Sequence, residues 1–329
     1  MNILVTGGAG FIGSHLVDEL LSKGHRVTAI DNLRNGSLEN LQNALEDENF
    51  TFLKGDILND PDCKKAMENI EISFHLACLG VRHSIHSPFE NHRVNAEGTL
   101  RILQAAVEAG VGHFFYISTS EVYGKTNAFP ITEKSPTNPI TVYGASKLAG
   151  EHYTNSYNEG FGLKATVLRI FNNYGPRAHY EGDCGEIIPR SIVRILNKIQ
   201  PVIFGDGGIT RDFFYVKDTA QALAGLLKKT SELNGKTINI GMGVEITMKK
   251  LQEKLLQTMK TESLGIQFAE ARPADVPRLW VDASKFYEIT GFSPRFSFEE
   301  GLKNTVDFYQ ELSTRKNLIS EVQFTNWNS

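Results

Sequence analysis

Thr6-Gly7-Gly8-Ala9-Gly10-Phe11-Ile12-Gly13 stands between a short apolar run, Asn2–Thr6 (NILVT), and an amphipathic one over residues 11–23. In the second run Ile12, Leu16 and Leu20 recur at spacing four, and Gly24 stops the pattern. Strand, glycine loop and helix in that order are what a tight turn against a phosphate group requires. Gly7, Gly10 and Gly13 permit the turn and let bare backbone approach, while the helix N-terminus at Phe11 and Ile12 meets the negative charge. A lone glycine turn would carry little weight. Here a second strand, Arg26–Asp31 (RVTAID), follows in order and ends in an acid.

The alternation continues outward. Phe50–Lys54, residues 72–77 (ISFHLA) and His113–Thr119 are short, β-branched or aromatic and bounded by turn residues, as strands buried on both faces should be. Residues 95–109 place Leu100, Leu103 and Val107 on one helical face before Gly110. Such alternation implies right-handed crossovers and a parallel sheet covered by helices on both faces, a doubly wound α/β fold of the Rossmann type. Past residue 170, Asn172, Asn173, Gly175, Pro176, Gly182, Gly185 and Pro189 predict a long irregular segment over the sheet, where substrates usually bind. Helical patterns follow at 187–198, 218–229, 247–259 and 298–312, with short apolar runs at Val202–Phe204, 213–216 and 238–240. The expected partition is a nucleotide-binding domain over 1–170, receiving elements back from about 210–240, and a smaller C-terminal α/β substrate-binding domain over 171–329. The polar tail from Ser313 is expected to be loosely ordered.

Composition narrows the function classes. The 329 residues are 41% hydrophobic and 22% charged, a globular profile, and 34 basic against 38 acidic residues give a net charge of -4. No basic surface is available for nucleic acid. Cys63, Cys78 and Cys184 are widely spaced without a C-x-x-C pair, so neither a disulfide framework nor a structural zinc site is expected. No apolar stretch of about 18 residues suggests a membrane span, and residues 1–6 run into the glycine cluster without a basic leader. The cytoplasm is the expected location.

Asp31 can accept both hydroxyls of an adenosine ribose and would repel a 2′-phosphate, so the loop and acid together point to NAD rather than NADP, with Asn32 alongside. Arg34 lies close enough to temper that preference. Lys54-Gly55-Asp56-Ile57 repeats the logic, making Asp56 and Ile57 candidate adenine contacts, although a helix cap near Pro61 or a plain turn explains Asp56 equally well. Tyr143-Gly144-Ala145-Ser146-Lys147 opens a further helical pattern. Its spacing of four puts phenol and ammonium on one face, where the positive charge would lower the phenol toward a usable base. Such pairs are common on surface helices. This one gains weight from Ser118-Thr119-Ser120-Glu121-Val122-Tyr123-Gly124 at the end of a strand, because the carboxyl ends of parallel strands face a bound nucleotide.

With these motifs the chain resembles an extended short-chain dehydrogenase/reductase of the NAD-dependent nucleotide-sugar epimerase/dehydratase family. The resemblance covers nearly the whole chain and adds His75-Leu76-Ala77, Asn172-Asn173-Tyr174-Gly175-Pro176-Arg177 and Arg211-Asp212-Phe213 to the motifs above. It implies NAD as cofactor, held also by Tyr143 and Lys147, a nucleotide-diphosphate sugar as substrate, and a homodimer. It also implies a cycle without net redox change. Tyr143, helped by Lys147 and Thr119, would take the proton from the sugar 4-hydroxyl as hydride leaves C4. The 4-ketosugar is then the branch point between epimerisation, 4,6-dehydration and, for a glucuronate, decarboxylation.

Glu121 discriminates among these branches. In the dehydratases a Thr-x-Glu at this strand end removes the C5 proton, and Thr119-Ser120-Glu121 resembles it, so a nucleotide-hexose 4,6-dehydratase is expected. A structural carboxylate bonded to backbone is the plainer alternative. Ser120 stands where dTDP-glucose dehydratases carry an aspartic acid, although GDP-mannose dehydratases also show Thr-Ser-Glu. The alternatives are a 4-epimerase of the UDP-glucose or UDP-glucuronate type, then a UDP-glucuronate decarboxylase, whose motif usually reads Tyr-Asp-Glu-Gly-Lys. A noncatalytic NAD-sensing protein is disfavoured because Thr119, Tyr143 and Lys147 are all present. Substrate contacts are expected from Arg82, His83 and Ser84 in the loop after the fourth strand, with Arg82 suited to a carboxylate-bearing sugar. Ser120, Asn172 and Arg177 join them. Arg211, Arg272 and Asp275, the last two within Arg272-Pro273-Ala274-Asp275, resemble groups that hold the diphosphate and ribose. His83 and His86 are three apart, but no carboxylate or cysteine completes a metal set at usual spacing.

Overall fold

The computed structural model describes residues 1–272 and 275–325. Strands β1 (Asn2–Thr6), β2 (Arg26–Asp31), β3 (Phe50–Lys54), β4 (Ile72–His75), β5 (His113–Thr119) and β6 (Ala165–Ile170) pair in parallel. β10 (Thr237–Ile240) returns from the second half of the chain to the β6 edge, giving a seven-stranded sheet of order β10-β6-β5-β4-β1-β2-β3. Side chains two apart share a face. Ile3 and Val5 of β1 therefore pack with Leu16, Val17 and Leu20 of helix α1 (Phe11–Ser22), whereas Leu4 packs opposite with Ile102 and Leu103 of α2 (Gly98–Glu108). Phe115 and Ile117 divide from Phe114 and Tyr116 along β5 in the same way. The doubly wound reading holds because every central strand feeds two apolar layers.

The chain leaves β1 toward β2 and β3, then returns to lay β4 on the other side of β1. That reversal opens a crevice at the carboxyl ends of β1 and β4. Thr6 Oγ1 accepts the N–H groups of Leu76 and Ala77 at 3.1 Å each and lies 2.7 Å from His75 Nδ1, so β1 and the end of β4 are stitched at this point. Gly7 has φ +68°, and a Cβ there would lie 2.9 Å from the Cα and N of Ala77. Only glycine fits that crossing.

Some elements depart from expectation. Residues 95–109 are not one uniform helix: a wide π turn over Arg93–Glu97 precedes α2, and within it Asn95 Oδ1 accepts from Leu79 N (2.8 Å). Helix α3 (Val142–Phe161) is capped by Thr141 Oγ1, which accepts from Gly144 N at 3.0 Å, and ends on Gly162 at φ +70°. The segment after residue 170 is not wholly irregular. β7 (Asn172–Tyr174) pairs with β9 (Thr210–Tyr215), which also pairs with β11 (Glu245–Thr247) and β13 (Arg278–Leu279). β8 (Val202–Phe204) pairs with β12 (Gln267–Ala269). Around them α4 (Ile187–Leu196), α6 (Met248–Thr258) and α7 (Phe298–Ser313) bury Ile192, Leu251, Leu255, Leu302 and Tyr309, while α5 (Val216–Gly225) packs on α1. The tail is tied down rather than loose: Leu318 is buried, and Arg190 donates to the carbonyls of Gln323 (2.5 Å) and Phe324 (3.0 Å). No helix among the described residues is long and apolar enough to cross a membrane.

Candidate active site

A cleft of about 520 Å³ runs along the carboxyl ends of the sheet, walled on its far side by the C-terminal portion. Gly7, Gly10, Phe11, Ile12 and Gly13 line one end. Gly10 is the N-cap of α1, no side chain caps it, and its first turn carries no acid. The leading N–H groups thus face the cleft as an anion site. A Cβ on Gly13 would sit 2.1 Å from the Gly7 carbonyl, so the loop folds only if that position stays bare.

Asp31 ends β2 in the same wall. Its Oδ2 accepts from Ala9 N (3.0 Å) and its Oδ1 from Leu33 N (2.8 Å), while burial raises its carboxyl above the ordinary range. Asn32 Nδ2 donates to Asp56 Oδ2 (3.1 Å), linking the two strand-end acids, and Ile57 lines the cleft beside them. Asp56 closes a turn by accepting from Leu58 N (2.8 Å), and the helix near Pro61 is capped instead by Asn59. Arg34 forms a bidentate ion pair with Glu90 and turns toward His83 Nε2 (3.2 Å). The cation that tempered the preference for NAD is therefore partnered within the protein.

The reacting end lies where β5 meets α3. Thr119, Ser120, Glu121, Tyr143 and Lys147 line the same space, and Thr119 Oγ1 accepts from Glu121 N at 3.2 Å. Lys147 is buried, with Nζ 4.4 Å from the centroid of the Tyr116 ring, whose hydroxyl donates to Lys147 O (3.0 Å). The expected lowering of the Tyr143 phenol by Lys147 is not what the structure shows. Burial holds the phenol well above its usual value, Cys78, Glu121 and Glu186 push the same way, and the nearby Thr119 hydroxyl opposes them. Burial lowers Lys147 and raises Glu121, whose carboxyl Arg211 and Arg82 pull down and Asp275 and Glu186 push up. Behind β5, Ser118 donates to Glu151, which forms a buried ion pair with Arg169 (2.6 Å). Arg169 in turn donates to the Tyr123 hydroxyl at 2.9 Å. Sequence reading missed this network, because Glu151 and Arg169 belong to no local pattern and meet only across α3 and β6.

Arg82 and His83 line the cleft, but Arg82 is already paired with Glu186, at 3.1 and 3.4 Å. Asn172 lines it too, with its Oδ1 buried and unpartnered among the described residues. Arg211 donates to Asp275 Oδ1 and the Val276 carbonyl, both at 2.7 Å, which makes this a buried pair and not a surface bridge. Arg272 stacks 4.7 Å from the Phe204 ring, and burial, with Arg82 and Arg190 nearby, pushes its guanidinium down to about 9. Crowded cations of this kind favour an anionic ligand. Pro273 and Ala274 of the same motif lie outside the described residues.

Two expected contacts point elsewhere. Ser84 turns its hydroxyl back to the Val81 carbonyl (2.6 Å) and does not line the cleft, because a short helical turn at His83–His86 claims it. Arg177 adopts φ +65° and reaches Asp18 of α1 (2.8 Å), on the outer side of that helix beside His15. His83 and His86 lie with rings 4.9 Å apart, and His86 bonds Asp183 (2.7 Å). Among the described residues no group of three or more His, Cys, Asp or Glu is placed to hold a metal ion.

A bare phosphate loop at one end, hydroxyl, phenol, ammonium and carboxyl groups at the other, and guanidinium groups between them define a dinucleotide-binding α/β enzyme of the short-chain dehydrogenase/reductase class. The family model for GDP-mannose 4,6 dehydratase matches residues 4–305, and the chain belongs to the nucleotide-sugar epimerase/dehydratase family of extended short-chain dehydrogenases/reductases. It is 35% identical over 317 residues to the UDP-glucose 4-epimerase of Mycolicibacterium smegmatis, covering 95% of this chain and 100% of that one. The dTDP-glucose 4,6-dehydratase of Streptomyces venezuelae, solved with NAD bound, superposes with a TM-score of 0.90 at 31% identity, covering 96% of this chain and 98% of that one. The UDP-glucuronic acid 4-epimerase of Bacillus cereus, solved with UDP-glucuronic acid and NAD, gives 0.88 at 32% identity, covering 95% and 100%.

Proposed function

We propose that this chain is an NAD-dependent nucleotide-hexose 4,6-dehydratase, and the observation that carries the reading is Glu121. Its carboxyl stands at the end of β5 in the same cleft as Tyr143, and burial raises its affinity for a proton, which suits a group that takes one and gives it back. The loop at Gly7–Gly13, the N-terminus of α1 and Asp31 bind the dinucleotide. Arg211, Arg272 and Asp275 hold the diphosphate and ribose of the substrate, and residues 171–329 supply most of that wall. Tyr143 Oη takes the proton of the sugar 4-hydroxyl while Thr119 Oγ1 steadies the same oxygen. When bound, NAD would supply the hydride acceptor and donor for the cycle, and the positive nicotinamide ring of its oxidised form would favour the phenolate of Tyr143. Glu121 removes the C5 proton, acidified by the new ketone, and delivers it to the departing 6-hydroxyl, which leaves as water. Hydride return at C6 is matched by one proton at C5, equal to the one that Tyr143 took from the 4-hydroxyl. A homodimer is the expected assembly.

The second reading is 4-epimerisation, favoured by Ser120, which puts a hydroxyl at the position where dTDP-glucose dehydratases carry the acid that protonates the leaving group. Incubation of the purified protein with UDP-, dTDP-, GDP- and CDP-hexoses, read by NMR and mass spectrometry, separates the two. Loss of one water with a 4-keto-6-deoxy product supports dehydration, and an isobaric 4-epimer replaces it with the second reading. Tyr143→Phe should abolish either activity. Turnover unchanged in Glu121→Gln would remove the argument for dehydration.

A further inference from the structure

The sugar end of the cleft is closed by an ion pair that neither the motifs nor the proposed reaction uses. Arg82 follows β4, and Glu186 is the residue before α4, its backbone N–H fixed on the His179 carbonyl at 2.6 Å. Arg82 Nη1 and Nη2 donate to Glu186 Oε1 and Oε2 at 3.1 and 3.4 Å, a fork-to-fork contact. The Arg82 side chain is only 13% exposed, whereas that of Glu186 is 46% exposed and lines the cleft. Glu186, Tyr143 and Glu121 line the same cleft. On the opposite wall Arg211 is likewise held by Asp275.

The consequence is electrostatic. A hexose presents a neutral hydroxymethyl group at C5, which can donate to the exposed Glu186 oxygens. A hexuronate presents a carboxylate at the same carbon, in a cleft that Glu121 and Glu186 line, where Arg82 is already engaged and Arg272 acts on Glu186 as well. Like charges placed together reject a ligand more strongly than a missing contact does. We infer that Glu186 is a selectivity residue that reserves the cleft for neutral nucleotide-hexoses and excludes the matching hexuronates by holding Arg82. This replaces the expectation that Arg82 serves a carboxylate-bearing sugar, and it rests on the nucleotide-sugar reading above without depending on which reaction follows.

The test is a binding ratio. Calorimetry on the Tyr143→Phe protein loaded with NAD would compare UDP-glucose with UDP-glucuronate and dTDP-glucose with dTDP-glucuronate. In the series that binds, the hexose should be favoured by roughly thirtyfold or more, and Glu186→Gln in the same background should bring the pair to within about threefold by strengthening uronate binding. Adding Arg82→Met should then remove the gained uronate affinity. Equal binding of both sugars before substitution, a ratio unmoved by Glu186→Gln, or a gain that survives Arg82→Met each overturns the proposal. Retained hexose binding by Glu186→Gln shows that the variant is folded, and loss of both sugars at an unchanged Tm shows a general binding role and also overturns it. If no sugar of either series binds, the nucleotide-sugar reading fails first, whereas a 4-epimer in the activity assay leaves the ratio and its meaning intact.

Discussion

At Asp31 one carboxylate serves two structures. Its oxygens hold Ala9 N and Leu33 N, and Gly36 lies so close that a Cβ there would be 2.9 Å from both of them. The loop after β2 is therefore folded around the group that is expected to meet the ribose. Asp31→Asn keeps the shape, removes the charge, and exchanges one acceptor for a donor. Hydrogen bonds to a charged group are worth about 1.5–3 kcal/mol, so NAD binding should weaken by about ten- to a hundredfold, and the preference over NADP should shrink because the repulsion is gone. Calorimetry with both dinucleotides checks this, and an unchanged NAD affinity would confine Asp31 to its backbone partners. Single residues differ in how openly they declare themselves. The place of Asp31 in the cleft was legible because a glycine loop and a strand end fix where it stands. Arg177 was misread because its motif implies the cleft while its left-handed backbone turns the side chain to Asp18. Glu186 carries no motif at all, and its importance comes from Arg82, 104 residues away in sequence.

Among the elements, β5 and α3 set the reacting groups, and their contact depends on one small residue. A Cβ on Gly150 would lie 2.1 Å from the Tyr116 hydroxyl, the group that bonds Lys147 O beneath the Lys147 ammonium. Gly150→Ala must shift either the ring or α3. Overpacking of this kind costs about 1–3 kcal/mol, so a lower Tm is expected together with a fall in kcat, and a variant with lowered Tm but unchanged kcat would show that Lys147 tolerates the shift. The other end of β5 carries a pH dependence. His113 is buried against Thr166 (2.9 Å), and burial lowers it from 6.5 to about 4. A histidine depressed in the folded protein stays neutral there while the unfolded chain takes up a proton, so its contribution is present above pH 6.5 and is lost as the pH falls toward 4. At about 1.4 kcal/mol per pH unit, the stability of the wild type should lose roughly 3 kcal/mol relative to His113→Asn between pH 6.5 and 4, measured by urea unfolding at each pH. A pH-independent difference would mean that the ring takes up its proton in the fold as readily as in the unfolded chain. Strands β1 and β5 could be read from sequence because burial on both faces makes them mostly apolar runs, and β2 and the edge strand β3 because short segments of β-formers stand between turn residues. β7 could not, because Asn172-Asn173-Tyr174 becomes a strand only through the ladder that β9 offers from about forty residues away.

Across the whole molecule, the C-terminal segment ties the substrate wall to the last helix. Leu318 is buried in the core of α4, α6 and α7, and Glu321 accepts from the Tyr180 hydroxyl (3.2 Å) and pairs with Lys316 (3.0 Å). Beyond it, the Gln323 and Phe324 carbonyls receive Arg190, and the Phe324 ring meets Phe204 edge-on at 6.1 Å while Arg194 lies over its face. Phe204 itself lines the cleft and carries Arg272 on its ring. A polar composition suggested a loose end because the apolar side chains Leu318, Ile319, Val322 and Phe324 are spaced without helical or strand period and find their sites only in the finished fold. Leu318→Ala should cost about 2–5 kcal/mol as a buried cavity, and because its segment anchors Arg190 and Phe204 rather than Tyr143, the kinetic effect should fall on substrate binding. A KM for the nucleotide sugar raised severalfold at near-constant kcat, measured well below the variant's Tm, is the expected outcome. A loss confined to kcat would place the tail's influence on β5 and α3 instead, where none of its contacts reach.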